Sequence, residues 1–299
     1  MAFRYSDKYK KYSLDMHVNV TRDEFLKQFD PEALAKDIIS TGAEAGMMYI
    51  QSHYGYSYWP TKVGEMHTGL IGNEDAFKRL YDEMHKGGMD VDVYFSMIYN
   101  NWAYDHHPEW RIKDINGNYS RDKGRRFGLC CPNSEGYKKF CRDQIADFTE
   151  YVGPYEAFFA DMTFWPTVCY CDNCRARWEK EVGGEMPRIV NWKDERWKLF
   201  QRKREEWLQD YMQYIYDSVK MVNPGAVVEM QNSTMPASWM MGVTENATIA
   251  SDAVSGDLYG GFSQQTFACK LYYNMTPNLP FNYTTSRCEP SLDEHTTIK

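Results

Sequence analysis

The sequence predicts a (β/α)8 TIM-type barrel, and three observations carry that expectation. Short apolar runs alternate with helical stretches along the 299 residues, the pattern of a parallel sheet with helical crossovers. Polar and aromatic residues gather after nearly every run, where a barrel builds its site. The length suits one barrel of about 250 residues, so a single catalytic domain is expected over residues 1–299. No glycine-rich phosphate turn follows the first run, which disfavours an open doubly wound sheet.

Leu14 to Val18 reads as the first strand. Pro31 to Ser40 reads as a helix, with Asp30 as its cap and Pro31 at its first position. Gly46 to Gln51 is the second strand, followed by a loop to about Gly72 and a helix from Glu74 to His85. Val91 to Ile98 is the third. A long irregular excursion from Tyr99 to Asn133 then leads to a helix from Ser134 to Tyr151, with Ser134 as N-cap.

The fourth strand is the most informative. Phe158, Phe159 and Ala160 suit a strand covered on both faces, and the run ends on Asp161, with Phe164 and Trp165 close behind. A carboxylate is tolerated there only if it emerges into a solvated, hydrogen-bonded site. Asp161 is therefore the first catalytic candidate.

A cysteine-bearing loop leads to the longest helix, about Asp194 to Val222. Its apolar residues Trp197, Phe200, Trp207, Leu208, Tyr211, Ile215 and Val219 recur at helical spacing and so face a core. Asn223-Pro224-Gly225 stops it. Ala226 to Met230, Ile249 to Val254 and Leu279 to Tyr283 read as the fifth, sixth and seventh strands. The sequence reaches Lys299 where the next helix would begin, so a barrel truncated before its eighth strand is expected, with an unpaired edge that favours homo-oligomers.

A net charge of −8 with no block of Lys or Arg disfavours nucleic acid and anionic membranes as partners. The first residues lack the apolar core of a signal peptide and no apolar run reaches a membrane span. Eight cysteines not laid out as a disulfide framework fit a reducing compartment, so a cytoplasmic protein is expected. Aromatic residues make up 16% of the chain, many in polar segments such as 53–59; such rings either stack on sugars or cover surface in ordinary packing.

At the expected strand ends stand His17; His53 and Trp59; Asn100, Asn101 and Trp102; Asp161 and Trp165; Glu229 and Gln231; Asp252 and Asp257; Arg287 and Glu289. Hydrolysing a glycoside with retention takes two carboxyl groups about 5 Å apart, a nucleophile and a proton donor. Asp161 pairs with Glu229 in this reading, with Asp257 and Glu289 as alternatives. His17, His53, Trp59, Asn101, Trp102, Trp165 and Arg287 are the expected sugar-binding residues. Each has a structural alternative, a packed ring or a surface ion pair.

Cys169, Cys171 and Cys174 fall within six residues, and with a fourth ligand from elsewhere they make a structural zinc site. Reduced thiols that order the loop by packing are the alternative. No other cofactor is required.

The stretches His107-Pro108-Glu109-Trp110 with Asp114 and Gly117, Cys131-Pro132-Asn133, Phe159-Ala160-Asp161 and Cys169-Tyr170-Cys171-Asp172-Asn173-Cys174 together resemble glycoside hydrolase family 151, related to α-L-fucosidases. Gln51-Ser52-His53-Tyr54-Gly55-Tyr56 looks like a variant of the second-strand motif Lys-His-His-Asp-Gly-Phe of family 29, from which Gln51 and Tyr54 depart. The resemblance implies a retaining exo-glycosidase acting on a carbohydrate, most closely an α-L-fucosidase. It implies Asp161 as nucleophile and His17 and His53 as holders of sugar hydroxyls. It does not supply the acid/base, for which Glu229 rests on its place in the fifth strand. A β-galactosidase-type or other barrel glycosidase, and a non-catalytic carbohydrate-binding barrel, are the alternatives.

Overall fold

The computed structural model describes residues 5–232, 238–257, 262–275 and 281–284. Seven strands run in chain order through one sheet: β1 (Lys11–Tyr12), β2 (Ala45–Tyr49), β3 (Asp90–Ser96), β4 (Ala157–Asp161), β5 (Val227–Gln231), β6 (Ala253–Asp257) and β7 (Phe281–Thr284). Every neighbouring pair is parallel. Among the described residues these are seven of the strands of a (β/α)8 barrel. A side chain of β1 meets one of β7 inside it, Lys11 Nζ donating to Asn282 Oδ1 at 2.9 Å.

The helices are α1 (Glu24–Lys27), α2 (Pro31–Ser40), α3 (Ala76–Lys86), α4 (Asn101–His106), α5 (Glu135–Val152), α6 (Asp172–Glu181), α7 (Glu195–Val222) and α8 (Phe262–Met275). Their starts follow local chemistry. Asp30 accepts from the Ala33 amide at 2.9 Å beside Pro31, and Ser134 and Asp194 cap α5 and α7 in the same way. The apolar stripe of α7 is buried as its spacing requires. The hydroxyls of Tyr137 on α5 and Tyr211 on α7 both donate to the Met97 carbonyl just past β3, at 2.7 and 2.8 Å. Those two hydrogen bonds fasten both helices to the sheet. No described helix is long and apolar enough to cross a membrane.

Two strands differ from expectation. Residues 14–18 alternate like a strand, but the ladder ends at Tyr12. The Tyr58 hydroxyl takes over, donating to Met16 O at 2.6 Å, so the segment leaves the sheet and crosses the barrel mouth. The sixth strand begins at Ala253, four residues after Ile249, whose side chain is 61% exposed. The expected start of the seventh strand at Leu279 lies outside the described residues. Helix α6 replaces part of the expected cysteine loop: only Cys174 and Trp178 are buried along it, too narrow a stripe to read as periodic.

Candidate active site

Because side chains alternate along a strand, β3 sends Asp92, Tyr94 and Ser96 inward while Val91, Val93 and Phe95 pack outward. On β4 the inward residues include Phe159 and Asp161. The chain then turns sharply: Met162 adopts a left-handed φ of 59°, the Thr163 amide donates to Gln231 O at 3.0 Å and the Thr163 hydroxyl to Ala160 O at 2.8 Å. This holds the Asp161 carboxyl at the mouth, with only 7% of the residue exposed.

Tyr94 donates its hydroxyl to Asp161 Oδ2, and His53 Nε2 lies 3.7 Å from the same oxygen. The hydrogen-bond partners set the imidazole tautomers. The Ser96 hydroxyl donates to Tyr99 O at 2.7 Å, so His53 Nδ1, 2.6 Å from Ser96 Oγ, carries the hydrogen and Nε2 faces Asp161 as an acceptor. His17 Nδ1 accepts from the His53 amide at 3.2 Å, which leaves the His17 Nε2 hydrogen for the Tyr94 oxygen at 3.4 Å. The two imidazoles lie against each other, with ring centroids 4.0 Å apart.

Burial lowers His17 to about 4 and His53 well below its ordinary value, helped by His17 and Arg126. Both are neutral at neutral pH. Burial, with a smaller contribution from the Asp257 charge, raises Asp161 to about 8, opposed by the Tyr94 hydrogen bond.

The His53 loop is held by the start of α4. The Asn101 and Trp102 amides donate to the His53 and Tyr54 carbonyls at 3.0 Å each. Gly55 sits at φ +78°, where a Cβ would lie 2.0 Å from Asn100 Oδ1, so no larger residue fits. Phe127 stands edge-on to His53, centroids 4.9 Å apart, and packs against that ring.

A cleft of about 600 Å3 runs from His17, His53, Asp161 and Asp257 down into the barrel to Lys11 and Glu229. The fifth-strand candidate lies deeper than expected. Glu229 is the middle residue of β5 and pairs in register with Phe159, two residues before Asp161. It is 1% exposed and accepts from Asn282, which Lys11 also engages. Below it Tyr5 donates to Asp92 at 2.7 Å. Burial raises Glu229, and burial with the Glu229 charge raises Asp92 to about 7. This is a polar floor under the site. Asp257 instead ends β6, lines the cleft mouth and acts electrostatically on Asp161.

Trp59, Asn101, Trp102 and Trp165 do not line the cleft among the described residues. The Trp59 indole donates to Asp147 at 2.9 Å and the Trp165 indole to Arg204 O at 2.8 Å; both rings are core. Asn101 Oδ1 accepts from the Gly128 amide at 2.6 Å, and Trp102 bonds Glu65 and stacks on His106. Asp252 precedes β6 and accepts from Tyr216 and the Val228 amide. Arg287 and Glu289 lie outside the described residues. Cys169, Cys171 and Cys174 gather with Cys131 away from the cleft. Sequence reasoning missed Tyr94, Ser96 and Phe127. The polar alternation Asp92, Tyr94, Ser96 inside an apolar strand was the signal for the first two; nothing local marks Phe127.

A parallel barrel that presents a buried acid to two imidazoles at its strand ends has the architecture of a glycoside hydrolase. The chain belongs to the family described as Alpha-L-fucosidase, whose sequence profile matches residues 3–253. No curated protein matches it. Among solved structures it is similar to α-L-fucosidase isoenzyme 2 from Paenibacillus thiaminolyticus, with a TM-score of 0.65, 13% identity, and 97% of this chain against 48% of that one. It is also similar to a β-galactosidase from the psychrophilic Marinomonas ef1, with a TM-score of 0.64, 14% identity, and 89% of this chain against 47% of that one. The glycoside hydrolase domain of PgaB (BpsB) from Bordetella bronchiseptica gives a TM-score of 0.69 at 10% identity, over 92% of this chain and 83% of that one. These identities carry the fold alone, and the chain spans about half the length of the first two.

Proposed function

We propose that the chain carries the catalytic face of a retaining exo-α-L-fucosidase, with a terminal sugar of a glycan or glycoside as substrate. The observation that carries this reading is Asp161 at the end of β4, flanked by Tyr94, His53 and His17, in a chain of this family. Asp161 attacks the anomeric carbon from one face of the sugar. Asp257, at the mouth on β6, protonates the leaving oxygen and then takes a proton from the attacking water. The neutral imidazoles of His17 and His53 orient ring hydroxyls, His53 Nε2 as acceptor. The two-step displacement draws on carboxyl groups alone.

The test is a panel of 4-nitrophenyl glycosides at one pH, with NMR of the sugar first released. Turnover of the α-L-fucoside with α-L-fucose as first product supports the reading. Preference for the β-D-galactoside overturns the sugar assignment, β-L-fucose overturns retention, and glycan binding without turnover leaves a binding barrel.

A further inference from the structure

Four cysteines that are distant in sequence share one buried pocket. Cys131 ends the excursion after β3, Cys169 and Cys171 lie in the loop after β4, and Cys174 is in the first turn of α6. Their sulfurs all lie within 4.8 Å of one another, and none of the residues is more than 4% exposed. The sulfur of Cys131 is 3.5 Å from that of Cys174 and 3.9 Å from that of Cys169. These are not disulfide distances, which are about 2.05 Å. Four sulfurs arranged tetrahedrally at about 2.3 Å around a zinc ion would be about 3.8 Å apart.

The surroundings also suit a metal better than plain packing. Asn133 Nδ2 donates to Cys174 Sγ at 3.3 Å, and Arg177 in turn donates to Asn133 Oδ1 at 3.0 Å. Arg204 is 2% exposed and interacts electrostatically with Cys174 and Cys169. A zinc ion with four thiolates carries two net negative charges, which a buried guanidinium and an amide donor offset. Four apolar side chains would call for neither.

We propose that Cys131, Cys169, Cys171 and Cys174 bind one structural zinc ion in a closed four-thiolate site. Four soft sulfur ligands suit zinc and leave no position for water or substrate, so the ion braces rather than catalyses. On binding, the four thiols give up their protons to solvent. The ion ties the excursion after β3 to the loop after β4. Phe127 stands four residues before Cys131, so the brace also steadies the ring packed against His53.

The test is metal analysis of the full chain purified without chelator, followed by exchange of zinc for cobalt. About one zinc per chain is expected, with the visible absorption of a tetrahedral thiolate site after exchange. Cys131→Ser and Cys174→Ser should lose the metal, whereas Cys130→Ser, altering a buried thiol outside the cluster, should keep it. Should the serine variants misfold, the cobalt spectrum of the unaltered chain decides. Reduced, metal-free protein that takes up no zinc overturns the proposal, as does a disulfide within the four or a Cys130→Ser protein that alone loses the metal.

Discussion

Tyr94 reaches up from β3 to donate its hydroxyl to Asp161 Oδ2, although its register partner on β4 is Phe159, two residues earlier. The bond favours the ionised carboxylate against the burial that raises Asp161 to about 8. Tyr94→Phe should therefore move the acid limb of the kcat/KM profile to higher pH and lower activity at neutral pH by about 10-fold or more. An unshifted profile in a folded Tyr94→Phe protein would separate the hydroxyl from the titration.

Asp161→Asn should reduce turnover by about 10^3-fold or more while leaving the fold intact. Azide should restore part of the activity and yield a glycosyl azide of inverted configuration, because a single displacement from the nucleophile's side of the sugar replaces the double one. Undiminished turnover would remove Asp161 from its role.

The same substitution should change how stability depends on pH. The folded-state pKa of Asp161 lies above its unfolded value, so the native state holds a proton that the unfolded chain has released. Its contribution to stability is present below the unfolded value, near 3.8, and is lost as pH rises toward about 8. Asp161→Asn cannot ionise, so thermal melts should show its Tm rising relative to the parent between about pH 4 and about pH 8.

The proton donor can be found by varying the leaving group. Asp257→Asn should cripple hydrolysis of alkyl fucosides while sparing activated aryl fucosides, since only poor leaving groups need a proton. Glu229→Gln keeps the shape of the polar floor and should show no such selectivity. The reverse pattern would return the role to Glu229.

The buried tryptophans should report on stability and not on binding. Trp59→Phe removes the indole donor to Asp147, which keeps the Thr61 hydroxyl and the Lys62 amide as partners. Loss of this buried bond should cost about 1–3 kcal/mol, seen as a lower denaturant midpoint with KM unchanged.

The middle of the barrel was legible because β2 to β5 are largely apolar runs set between helices, of which α2, α5 and α7 carry side-chain caps, and Asp161 stood out because an acid ending the run Phe158-Phe159-Ala160 contradicts a buried strand. Elsewhere, distant partners decided the structure. The alternation at 14–18 is that of a strand, yet the Met16 carbonyl takes a hydrogen bond from Tyr58, 42 residues away, and not from a neighbouring strand. Glu229 read as a strand-end acid because the register of β5 against β4 has no local signature. Trp59 and Trp165 read as sugar platforms because they follow expected strand ends, while Asp147 and Arg204, which accept from their indoles, are far along the chain. For Cys131 the missing information was proximity: it joins Cys169 only once the excursion folds back.

The backbone of Met97 does two jobs. Its carbonyl accepts the hydroxyls of Tyr137 and Tyr211, and its amide donates to the Asp161 carbonyl at 3.0 Å. The two outer helices thus grip the backbone of the very residue at the mouth through a single residue. An opening that lifts either helix pulls on that residue, so fraying of α5 or α7 cannot proceed quietly behind a working mouth. In a urea titration, loss of turnover and loss of helical signal should fall on one curve, and amides of α5, α7 and β3 should exchange with a common free energy.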